Sequence, residues 1–208
     1  MNTAACPSLP AGPEGGTVWF RAIQPQHFAT ALGTSHTKTI PSRFSVGAPA
    51  TPQYEILYLA ENHMVALFEV QALLGSPLSP GGVVPQPRRA WSIINVTVNL
   101  QSVVDLTDPA AQAALATSAQ ELTGDWRGYQ LRGPHTSVTA PAGPAPTQDL
   151  GAALFRVAGV EGFRTLSAKL PDQMVLAVFP QKLRPGSSVR FWDPASRQTH
   201  TIPPPPSP

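Results

Sequence analysis

Two charged side chains stand where an apolar pattern would not put them, and a third sits close by on a loop. Glu69 falls in the stretch YEILYLAENHMVALFEVQA, residues 54–72. Residues 56–60 of it read as an apolar strand, and Asn62 reads as the N-cap of a helix carried by good formers over 64–74. At helical spacing Val65, Phe68, Glu69 and Ala72 share one face, so the carboxylate sits in the middle of an apolar stripe. Such a group is destabilising unless a cation pairs with it or its charge is used in a cleft. This stretch alone leaves both readings open. Arg21 interrupts the apolar run 17–23, either as a surface strand residue or as a guanidinium that takes a phosphate through two donors. Arg43 lies beside Phe44 on a polar segment, 33–52, that leads into the central strand.

The elements that must position these groups follow from the pattern. Strands are expected over 17–23, 56–60, 91–100, 102–106 (partner or continuation of the preceding one), 163–168, 174–179 and 189–192. Short helices are expected over 25–32, 110–116 and 118–122, the second opened by Asp108-Pro109. A longer one, 148–158, is capped by Thr147 and closed by Gly159. Gly124 to Tyr129 reads as an aromatic turn and a candidate pocket rim, and Asp105 as a structural strand-end residue. The 25 prolines gather outside these elements, so residues 1–16 read as a disordered leader, 75–89 as a loop, 130–147 as a long loop or insertion, and 199–208 as a tail.

Composition narrows the function. Only 12% of residues are charged, about half the usual share, and a net charge of +2 without basic clusters argues against nucleic-acid binding. Cys6 is alone, which leaves no disulfide framework or thiolate metal site within the chain. The five histidines, at 27, 36, 63, 135 and 200, have no metal-ligand spacing, so no metal is expected. Glycine loops for nucleotides and the GxSxG motif are missing. With neither a signal peptide nor a membrane-length apolar run, the expectation is a cytoplasmic protein without membrane contact.

Taken in order, Trp19-Phe20-Arg21, Ser42-Arg43-Phe44, Tyr58-Leu59-Ala60, Ala66-Leu67-Phe68-Glu69-Val70, Val104-Asp105-Leu106-Thr107 and Leu166-Ser167-Ala168 resemble the RES domain. The resemblance covers about residues 17–180, and a single such domain is expected over 17–198. The Arg, Glu and Ser that name the family fall on Arg21, Glu69 and Ser167. The resemblance implies an α+β fold like that of ADP-ribosyltransferase toxins, with small mixed or antiparallel sheets forming an NAD cleft between flanking helices. It also implies a bacterial toxin that breaks the nicotinamide–ribose bond of NAD by water or phosphate attack. A protein ADP-ribosyltransferase, or a silent binding module of the same fold, is the alternative. An Xre-type helix-turn-helix antitoxin is the implied partner, joined to the toxin in a hetero-oligomer and plugging the cleft near Arg21 and Glu69.

Bond chemistry asks for the same residue types. Two phosphates call for guanidinium groups, here Arg21 and Arg43. A flat nicotinamide calls for an aromatic face, Tyr58. A transition state with oxocarbenium character calls for a carboxylate, Glu69, to face that charge or grip the ribose hydroxyls, with the Ser167 hydroxyl to orient the carboxylate or the ribose.

Overall fold

The computed structural model describes residues 1–75, 83–85, 90–130 and 143–202. Most of the loops expected at 75–89 and 130–147, and the end of the tail, lie outside these residues. The strands are β1 Ala11–Ile23, β2 Leu57–Ala60, β3 Leu73–Gly75, β4 Val83–Pro85, β5 Ser92–Asp105, β6 Gly162–Leu166, β7 Met174–Val178, β8 Ser188–Asp193 and β9 Gln198–Ile202. The α-helices are α1 His63–Glu69, α2 Pro109–Ala114, α3 Ala119–Thr123, α4 Trp126–Gln130 and α5 Pro146–Arg156.

The fold is α+β, built on one seven-stranded mixed sheet rather than on several small ones, with β3 and β4 as a separate hairpin. Its order is β1-β2-β7-β6-β5-β8-β9, and β1 also pairs along β5. Because β1 has both β2 and β5 as neighbours, β1, β2, β7, β6 and β5 close on themselves, while β8 and β9 extend from β5. Strand alternation then sorts side chains by face. Leu57 and Leu59, Val96 and Val98, Leu176 and Val178 share one apolar cluster. Ile56, Val104, Phe163 and Ala177 face the other way, under Leu115, Leu122, Leu150 and Leu154 from the helical segments. Tyr58 packs between this second cluster and a third formed with Val65 and Ala66 of α1.

Four expectations need correction. The leader is part of the fold: Cys6 is buried against Leu150 and Leu154, and β1 begins at Ala11. Proline and glycine suggested disorder there, yet the long edge of β5 supplies ladder partners, and register shifts at Gly12/Glu14 and Gly15/Thr17 absorb the irregular residues as bulges. The tail begins later than expected, because residues 198–202 form β9 on β8. The long helix is shifted: Thr147 is inside α5, whose N-cap position is Ala145, with the Gln148 side chain accepting that residue's N–H at 2.9 Å, and α5 ends at Arg156 with Val157 as C-cap, so Gly159 does not close it.

The central helix is the fourth. Asn62 caps it, accepting from Val65 N–H at 3.0 Å, but the helix stops at Glu69 instead of running on to 74. Gln71 takes a left-handed φ of 58°, with Gln71 N–H bonded to Phe68 O and Ala72 N–H to Leu67 O. This is the Schellman pattern, made without the usual glycine. Glu69 is therefore the last residue of α1, where the chain turns away, and not a group in mid-helix.

Candidate functional site

Glu69 lies on the wall between two hollows on one side of the sheet. The larger, about 440 Å³, is bordered by Arg43, Tyr58, Trp126, Arg127 and Lys169 besides Glu69. The smaller, about 250 Å³, holds Arg21 and His36 and shares Tyr58, Glu69 and Val175 with the first. β1 meets β2 only at Phe20–Ala60, and the smaller hollow is lined from both strands around that point. The five residues singled out from the sequence thus come together: four line the hollows, and Ser167 stands directly behind Glu69.

The carboxylate is exposed to the open cleft, yet one of its oxygens is fixed. Ser167, wholly buried just beyond β6, donates from Oγ to Glu69 Oε1 at 2.6 Å. The same Oγ accepts from the Lys169 and Leu170 N–H groups, each at 3.2 Å. A hydroxyl has one proton and two lone pairs, so the two amides direct its proton onto Glu69. Oε1 is held while the rest of the carboxylate remains available to a ligand.

Arg21 is poorly satisfied. Its Nη1 is buried with no partner among the described residues, and its Nη2 reaches Gly33 O only at 3.5 Å. Burial pulls its pKa down to about 10, so it stays charged at neutral pH. Although Arg21 and Glu69 share a hollow, they form no ion pair; the ion pairs among the described residues are elsewhere, as in Lys38–Glu55 at 3.0 Å and Arg164–Asp105 at 2.8 Å. The latter gives Asp105 its structural role. His36, beside Arg21, has its pKa lowered by burial and by that guanidinium, which favours a neutral ring.

Arg43 has two tasks. Nη1 donates to Leu122 O at 3.1 Å and Gly124 O at 2.6 Å, tying down the end of α3. Its other donors have no partner among the described residues. Burial lowers its pKa, with Glu69 the strongest opposing influence. Tyr58, on β2, bonds Ser42 Oγ at 2.9 Å, and burial pushes its phenol up to about 12, so it remains protonated. Trp126 is on the rim of the larger hollow, whereas Tyr129 lines a neighbouring one. Sequence reasoning did not single out Arg127, Lys169 or Thr165, which share the larger hollow.

Helix α5 holds the Arg43 turn in place. Gln148 Nε2 donates to Ser42 O at 2.9 Å and Ser45 O at 3.1 Å, and Tyr54 donates to Phe44 O at 2.6 Å. Gly151 permits this contact: a Cβ there would lie 2.0 Å from Phe44 O. Gly151→Ala should destabilise the protein by about 1–3 kcal/mol through overpacking, read as a lower urea midpoint. An unchanged midpoint would mean that α5 can move without disturbing the turn.

The model of the family described as "RES domain" matches residues 18–199. The chain belongs to the RES domain family. No curated protein matches it. In fold this RES domain is similar to a chain in the solved structure titled "Crystal structure of the M.tuberculosis MbcT-MbcA toxin-antitoxin complex". That likeness has a TM-score of 0.59 at 18% identity, over 97% of this chain and 90% of the other. No helix among the described residues is long and apolar enough to cross a membrane.

Proposed function

We propose that this RES domain is the toxin of a toxin–antitoxin pair and that it consumes NAD by cleaving the nicotinamide–ribose bond. The observation that carries the reading is a serine-fixed carboxylate between two hollows, one with an unpaired guanidinium donor and the other with a second arginine and a tyrosine. Arg21 and Arg43 hold the two phosphates, and Tyr58 packs the nicotinamide. Glu69 faces C1″ of the ribose as positive charge develops there. The C1″–N bond breaks with its electron pair remaining on nicotinamide, which leaves neutral. An oxygen of water or phosphate bonds to C1″, and water, when it attacks, gives up its proton to solvent. The leaving group needs no strong acid, which suits a site whose phenol stays protonated and whose one fixed carboxylate faces the ribose.

Support for the partner comes from the neighbour of similar fold, whose title places it in a toxin–antitoxin complex. The proposed antitoxin is a small helix-turn-helix protein of Xre type whose C-terminal segment enters the cleft at Arg21 and Glu69. Incubating the purified chain with NAD should release nicotinamide together with ADP-ribose or its 1″-phosphate. Label transferred to a protein would point instead to an ADP-ribosyltransferase. No release and no transfer would leave a binding module.

A further inference from the structure

Thr165 is a buried group in the cleft with no assigned task. It lies on β6 two residues before Ser167, is 1% exposed, and lines the hollow that holds Glu69. Its Oγ1 has no hydrogen-bond partner among the described residues. The side chain thus borders the same hollow as the carboxylate that Ser167 holds. Its register partner on β7, Val175, is on the wall shared by both hollows. A buried hydroxyl without a partner is unfavourable, and valine has nearly the same shape without that penalty. Since no hydrogen bond fixes the side chain, one step of about 120° in χ1 exchanges the positions of methyl and hydroxyl.

We infer that Thr165 is a substrate-positioning residue whose hydroxyl is satisfied only when ligand fills the cleft. The inference rests on the NAD-cleaving reading and adds a contact to it. The partner is an uncharged hydrogen-bonding group beside the scissile bond. Glu69, Arg21 and Arg43 already provide for the charged parts of the ligand, and what is left beside them is neutral groups, to which a hydroxyl can both donate and accept. The carboxamide of nicotinamide and the hydroxyls of the adjoining ribose share that chemistry.

The test compares Thr165→Val and Thr165→Ser with the wild type for nicotinamide release, thermal unfolding, and inhibition by nicotinamide and by ADP-ribose. In Thr165→Val, kcat/KM for NAD should fall about tenfold, as expected for one lost hydrogen bond, with no fall in Tm. Thr165→Ser should recover most of the loss. Weaker inhibition by nicotinamide alone would assign the bond to the carboxamide; weaker inhibition by ADP-ribose alone would assign it to the ribose. An active wild type with an indifferent Thr165→Val, a serine variant as impaired as the valine one, a lowered Tm in Thr165→Val, or inhibition unchanged for both products overturns the role of Thr165. A wild type that releases no nicotinamide sinks the activity itself, which is a different failure.

Discussion

Glu69→Gln should reduce nicotinamide release by about a thousandfold while leaving the protein folded. Glutamine keeps the size of the side chain and an oxygen that can still accept from Ser167 Oγ, so the 2.6 Å contact has a substitute. It also removes a negative charge from the last residue of α1, where the carbonyl ends of the helix are themselves negative, so no loss of stability is expected. Only the negative charge is lost, and in the proposed reaction it is needed where positive charge grows at C1″. The loss should therefore fall on kcat, with KM for NAD changed little, because in that reaction ground-state NAD is gripped mainly through its phosphates. Ser167→Ala tests the same link more gently. It frees Oε1 and leaves the Lys169 and Leu170 amides without their acceptor, so it should lower both rate and stability. A Glu69→Gln protein that turns over NAD at the wild-type rate would remove the carboxylate from the chemistry.

The parts of this site that were legible in the sequence are those where a side chain contradicts its surroundings. Arg21 in an apolar strand and Glu69 on an apolar helix face are such contradictions, and Asn62 announced the start of α1 by ordinary capping chemistry. Where the chain breaks a local rule without a local sign, the reading failed. The end of α1 is set by Gln71 in a conformation that usually asks for glycine. The leader's prolines and glycines concealed an extension of β1 that exists because β5, a strand of 14 residues, offers a long partner edge. Arg43 is half committed to carbonyls 79 and 81 residues away, a contact that no local pattern could reveal. Thr165 looks like any strand threonine until its missing partner is seen. Burial alone would also have misled: Glu161 is wholly buried, but it accepts from the Gln101, Ser102 and Arg184 amides at 2.6, 3.0 and 2.6 Å and is structural. Glu69 differs in being held at one oxygen and open at the other.

Arg21→Met should do two opposite things: raise stability and weaken the binding of NAD. A half-buried guanidinium whose buried Nη1 has no partner among the described residues, with one 3.5 Å contact at Nη2, holds the folded state back, and methionine fills similar space without a charge to desolvate. Loss of charge-assisted bonds to a phosphate is worth about 1.5–3 kcal/mol, which corresponds to roughly 10- to 100-fold weaker binding. The pH dependence identifies the cause. Burial lowers the folded-state pKa of Arg21 to about 10, below its value in the unfolded chain. Above about pH 10 the unfolded state thus binds more protons than the folded one, and wild-type stability gains from rising pH over that window. Below it the penalty is complete and constant. The stability advantage of Arg21→Met should accordingly be flat from about pH 8 to 9, above the range in which His36, relieved of the Arg21 charge, titrates, and shrink as the pH climbs past about 10. Pyrophosphate should raise the Tm of the wild type more than that of the variant, because the variant keeps Arg43 but loses the second guanidinium. If Arg21→Met is instead less stable than the wild type at neutral pH and still binds NAD equally well, the guanidinium is a packing element and the phosphate site must be sought around Arg43, Arg127 and Lys169.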